Sequence, residues 1–227
     1  ALPTGDLTIT ELNLPDVIET LAAKPRGLVL VTGATGSGKS TTLAAMINAI
    51  NAKRAAHIVS IEVPIEFVHA SKKSRVTQRE VGSDTESFEA GLRFVLRQSP
   101  DVILIGEVRD ATTVVAALEA TETGHMVMST MHTVNAAQTM DRILGFFPAE
   151  RHKQVRQRLA GQRQQRLGAG FLQFGPVGAR ILGALRGPFR LFVVDFPAGL
   201  GQHFATLLLG FLPGGFQRFG AAGLKRV

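Results

Sequence analysis

Short apolar runs alternate with longer stretches of helical period from residue 27 onward. The runs are Leu28–Thr32, His57–Ile61, Val102–Gly106 and His125–Thr130. Between them, Phe88, Leu92, Val95 and Leu96 recur at i, i+4, i+7 and i+8, the spacing of a helix with one buried face. Ser83-x-x-Glu86 ahead of them has the spacing of a capping box. A second helix is expected from Asp110 through Glu122, and a third from Asn135-x-x-Gln138 to about Phe146. Upstream, Leu14 to Ala22 is amphipathic, with Pro15 tolerated near a helix start. Strands alternating with helices predict an α/β fold with a mainly parallel sheet flanked by helices. In such sheets ligands gather beyond the carboxyl ends of the strands, so residues just after each run are candidates for a site.

One junction carries a specific pattern. Gly33-Ala34-Thr35-Gly36-Ser37-Gly38-Lys39-Ser40 fits the phosphate-binding loop G-x-x-x-x-G-K-[ST] at every fixed position, between a strand and the helical stretch Thr41 to Ile50. Its glycines permit positive φ and bring backbone N–H groups against anionic oxygens, and the helix start adds free amide donors. Lys39 is expected to reach β- and γ-phosphates and Ser40 to ligate Mg²⁺. Gly33 through Thr41 are therefore the expected ATP-binding residues. Polar side chains follow the other runs: Glu62, Pro64 and Glu66; then Glu107, Arg109 and Asp110; then His125 and His132, along and after the fourth. Phosphoryl transfer needs this inventory of cations, water-orienting groups and an arginine.

Composition narrows the classes. The chain of 227 residues has no cysteine, which removes disulfides, thiolate metal sites and cysteine nucleophiles. No apolar run reaches the ~20 residues of a spanning helix, and the amino terminus lacks a signal pattern. The formal charge of +7 is unevenly placed. Residues 1–161 hold 17 basic and 17 acidic residues, whereas residues 162–227 hold eight basic residues against Asp195 alone. The neutral loop-bearing part gives no support to a basic groove for nucleic acid.

The phosphate loop, His57–His69, Gln78-Arg79-Glu80-Val81, Ser99–Glu107 and Glu122–His125 come in an order that resembles the secretion-type hexameric ATPases, most closely the retraction ATPases of type IV pili. The resemblance covers about residues 1–160 and implies a RecA-like P-loop core at 27–161, preceded by a lead-in segment, 1–26, from an amino-terminal domain missing here. It implies that Glu107 polarises the attacking water, that Glu62 and Glu66 place water and metal, and that His125 and His132 sense the γ-phosphate or couple it to a neighbour. Arg93, Arg97 and Arg109 become candidates for intersubunit roles, although Arg93 and Arg97, four apart, also suit a solvated helix face. It further implies a homo-hexamer acting on a pilus inner-membrane platform protein, cytoplasmic and peripheral at that membrane. Zero cysteine favours the retraction branch over relatives with a four-cysteine zinc module.

Two departures bear on activity. Val63 stands where the family's acidic box carries an aspartate, and it neither binds metal-bound water nor accepts hydrogen bonds. The tail, 162–227, holds 13 of the 24 glycines and nine of the 14 phenylalanines, with no amphipathic face. Out-of-frame translation is the preferred reading of the tail, ahead of a membrane-surface segment. Phe189–Phe196 has strand character and Phe204–Leu212 that of a buried segment. Three functions compete: a pilus-retraction ATPase core, a catalytically impaired nucleotide-binding fragment or pseudogene product, and, disfavoured by charge, a RecA-like nucleic-acid translocase.

Overall fold

The computed structural model describes residues 2–160, 169–174, 180–181 and 194–195. Six parallel strands form the main sheet: β1 (Gly27–Gly33), β2 (His57–Glu62), β3 (Arg75–Glu80), β4 (Val102–Ile105), β5 (Met126–Met131) and β6 (Ala169–Phe174), in the order β3-β2-β4-β5-β1-β6. The four expected runs are β1, β2, β4 and β5, displaced at their ends by a residue or so. β3 carries no apolar run, and only its place beside β2 makes it a strand. β6 pairs with β1 in parallel, Leu28 opposite Ala169 through Gly33 opposite Phe174. The sheet thus extends past residue 161, where the sequence reading ends the core. Within the expected strand Phe189–Phe196, β8 (Val194–Asp195) pairs antiparallel with β7 (Arg180–Ile181); Phe204–Leu212 lies outside the described residues.

Alternation along the strands divides the interior in two. Val29, Val31, Ile58, Val102, Leu104, Met126 and Met128 pack with α1 (Asp16–Ala22) and α2 (Lys39–Lys53), through Ile18, Leu43, Met46 and Ile47. Leu28, Leu30, Val59, Ile61, Ile103, Ile105 and Val127 pack on the other face. There they meet α3 (Phe88–Val95), α4 (Ala111–Glu122), α5 (Ala136–Gly145) and α6 (His152–Leu159). With apolar surface covered on both faces, the central strands read as continuous hydrophobic runs.

Three helices start on side-chain caps. Asp110 Oδ1 accepts from the Thr113 N–H at 2.7 Å and Asn135 Oδ1 from that of Gln138 at 2.8 Å, as the sequence predicts. For α3 the expectation is corrected. The cap is Ser87, whose Oγ accepts from the Ala90 N–H at 3.1 Å, while Ser83 sits in a turn after β3. The box spacing is met by Ser83 and Glu86, but the Asp84 and Thr85 N–H groups bond back to Glu80 O, which holds that segment out of the helix.

The lead-in is part of the body. Gly5 N–H donates to Val68 O at 2.7 Å, Val68 N–H to Pro3 O at 3.1 Å, and Asn48 Nδ2 of α2 to Leu7 O at 2.9 Å.

Candidate functional site

The turn between β1 and α2 is built on glycine for conformational reasons. Gly36 has φ +76° and Gly38, the residue before α2, φ +90°, values that side chains with a Cβ rarely adopt; neither would meet an atom within 4 Å if given one. The loop therefore stands open around these glycines, at the carboxyl end of β1. Lys39, the first residue of α2, is 7% exposed, and its Nζ donates to the carbonyl oxygens of Gly33 (3.1 Å) and Ala34 (2.8 Å). Ser37 Oγ donates to Ala34 O at 2.7 Å. Thr35 is exposed, Ser40 and Thr41 are partly buried.

Two neighbouring strands aim acids at this loop. Past β4, the Gly106 N–H donates to Ile61 O at 2.8 Å, and a Cβ on Gly106 would lie 3.3 Å from Glu62 Cα. Glycine lets the ends of β2 and β4 close on each other, so Glu62 and Glu107 emerge side by side. Thr130 Oγ1 donates to Gly106 O (2.7 Å) and Thr130 O accepts from the Val108 N–H (3.1 Å), fixing the backbone on both sides of Glu107. The Glu107 carboxylate accepts from Arg109 Nε at 2.6 Å and faces His132 Nε2 at 3.7 Å. His132 Nδ1 in turn lies 3.4 Å from Lys39 Nζ. Lys39, His132, Glu107 and Arg109 thus form one connected line from the phosphate loop to the rim.

Burial lowers the Lys39 ammonium from its ordinary range, and the nearby Glu107 and Glu66 carboxylates oppose that shift. Burial raises the Glu62 carboxyl, against hydrogen bonds from Ser60 and Gln78, with the Glu66 charge adding to the rise. Ser60 Oγ donates to Glu62 Oε1 at 2.6 Å and Gln78 Nε2 to the same atom at 3.2 Å. Glu66 and Val63 are exposed.

Most of the predicted site residues converge here, and His125 lies apart from them. His125 lies just before β5, at the amino end of the strand, where its carbonyl accepts from the Gly27 N–H at the start of β1. A strand of six residues spans about 20 Å, so His125 is at the opposite end of the sheet from the loop. Its Nδ1 sits 2.9 Å from Ala120 O and 3.0 Å from Thr123 Oγ1, closing the end of α4. Arg93 pairs with Glu89 on its own exposed helix face at 2.7 Å, and Arg97 is exposed. Sequence reasoning assigned no site role to Ser60, Gln78, Gly106 or Thr130. Ser60 was discoverable, since residues i and i+2 of a strand share a face; Gln78 depended on the β2–β3 register.

The sequence model of the type II/IV secretion system protein family matches residues 4–169. The chain belongs to that family. Among its relatives, a twitching motility protein of Neisseria gonorrhoeae is 55% identical over 159 residues, covering 70% of this chain and 42% of the relative. The type IV pilus retraction ATPase PilT of Pseudomonas aeruginosa is 53% identical over 163 residues, covering 72% and 47%. A crystal structure of the pilus retraction motor PilT with bound ADP superposes with a TM-score of 0.70 at 45% identity, covering 86% of this chain and 54% of that one. The chain thus spans less than half the length of these two curated relatives. Type II secretion system protein E of Klebsiella pneumoniae is 45% identical over 127 residues, covering 56% of this chain and 24% of that relative.

Proposed function

We propose that this chain is the ATP-binding and ATP-hydrolysing core of a type IV pilus retraction motor. The observation that carries the reading is the line of side chains from buried Lys39 through His132 to Glu107, beside a loop whose Gly36 and Gly38 take positive φ with open space around them. The donor set fits MgATP. Lys39 supplies a fixed positive charge for the β- and γ-phosphates, and Ser40, at the helix start, supplies the hydroxyl for Mg²⁺, which when bound neutralises phosphate charge.

Glu107 accepts a hydrogen bond from water and turns it toward the γ-phosphate, a role that its nearness to His132 and Lys39 supports. Arg109, bonded to that carboxylate at 2.6 Å, limits its rotamers, and His132 links its position to that of Lys39. Working as a motor, the chain acts in a homo-hexameric ring, on the cytoplasmic side of the inner membrane, through a pilus platform protein and without nucleic acid. Val63 favours a second reading of the same site, a nucleotide-binding protein with slow turnover, since an exposed valine replaces a hydrogen-bonding anion next to Glu62.

Two variants test the assignment. Lys39→Ala should abolish MgATP binding measured by titration; affinity within about twofold of the parent would remove the loop from its role. Glu107→Gln should leave binding in place while turnover falls about 10²-fold or more, and unchanged turnover would assign the water-orienting role elsewhere.

A further inference from the structure

β3 reads Arg-Val-Thr-Gln-Arg-Glu, too polar for a core strand, and its side chains are used to hold a loop. Gln78 lies opposite Ser60 in the β2–β3 register. Its Nε2 donates to Glu62 Oε1 (3.2 Å) and to Phe67 O (2.8 Å), and its Oε1 accepts from the His69 N–H (2.8 Å). These partners fix the amide's orientation, because a flipped group would set its oxygen against a carboxylate and a carbonyl. Glu80, two residues on and on the same face, accepts from the Ile65 N–H at 3.0 Å. The segment from Val63 to His69, which presents Glu66, is thus pinned by β3 at its middle and far end, and Glu62 is held at its near end by the same Gln78.

We propose that Gln78 is a positioning residue for the carboxylates of Glu62 and Glu66, locking the Glu62 rotamer and the 67–69 backbone into one piece that faces the phosphate loop. The inference rests on the ATP reading above and on the role that the family resemblance implies for those carboxylates, the placing of water and metal. Only a neutral primary amide of this length serves all three partners. A carboxylate at position 78 repels Glu62, an apolar side chain leaves Phe67 O and the His69 N–H without their partner, and asparagine is one methylene short. The Gln78 bond also works with that of Ser60 against the rise that burial imposes on the Glu62 carboxyl.

The experiment compares the full chain with Gln78→Met and Gln78→Glu, using a fluorescent ATP analogue with and without Mg²⁺ over a pH series, and amide hydrogen exchange of the ligand-free proteins. Without Mg²⁺ the variants should bind within about twofold of the parent. With Mg²⁺, Gln78→Met should bind about tenfold more weakly, the size of one hydrogen bond to a charged group. Its acid limb should move to higher pH, and exchange at Phe67–His69 should accelerate. Gln78→Glu keeps an acceptor for the His69 N–H and serves as the folded control if Gln78→Met fails to fold. Its deficit should narrow on acidification, as a proton shared with Glu62 restores a donor. Faster exchange with Mg²⁺-dependent affinity and pH limb equal to the parent's would reduce Gln78 to a loop staple and overturn the proposal, as would unchanged exchange. A parent that binds no nucleotide overturns the ATP reading and this inference together, whereas a binding parent with indifferent variants overturns this inference alone.

Discussion

Glu62 is the residue at which the site works against the fold. Its carboxyl is raised above the usual value of 4.5, first by burial, so the folded state holds that proton more tightly than the unfolded one. Such a group contributes stability that is fully present below the unfolded value and is lost as pH rises through the folded one. Glu62→Gln removes the charge while retaining an acceptor for Ser60 and Gln78. It should therefore melt higher than the parent at neutral pH, with the gap closing as both are acidified below the usual carboxylate value. A variant that melts at or below the parent in neutral buffer would show that the charge carries no penalty. Val63, next in the chain and exposed, is the complementary case. Val63→Asp should raise ATP turnover, because it returns an anion to the water and metal network at a position where solvent limits the desolvation cost. Turnover equal to the parent's would leave the slow-turnover reading without its cause.

At the scale of elements, what the sequence revealed depended on whether the signal was local. Asp110 and Asn135 mark their helices because a cap and its N–H partner lie three residues apart, whatever the rest of the chain does. Asp110→Ala should accordingly lower unfolding stability by about 1 kcal/mol, read by denaturant titration, and a change near zero would deny the cap its weight. Ser83 had equal local merit and lost to tertiary hydrogen bonding back to Glu80. β3 was illegible as a strand because its side chains answer to a loop and to β2, neither of which a period can show. β6 was illegible for a similar reason, being defined by the edge of β1 that it covers. A chain ending near residue 176 should keep MgATP-induced thermal stabilisation, and one ending at Gly161 should melt lower for want of that strand. If the shorter chain melted at or above the longer one, β6 would contribute nothing to the sheet.

For the whole molecule, the parallel sheet explains which site residues could be foreseen. Residues at or beyond the carboxyl ends of β1, β2, β4 and β5 meet because every strand points the same way, so Lys39, Glu62, Glu107 and His132 follow from order alone. His125 fails the same rule, since it precedes its strand. Distances within the cluster, such as Lys39 to His132, required the fold. The even charge of residues 1–161 belongs to this scale too, for the acids that balance the basic residues include those drawn to the loop. The lead-in has a mechanical consequence. Its two backbone bonds to Val68 lie between whatever pulls at Leu2 and the body of the protein, and Val68 sits between the two backbone positions that Gln78 grips. A load applied at Leu2 would therefore reach the segment that presents Glu66 before it reached the body of the protein.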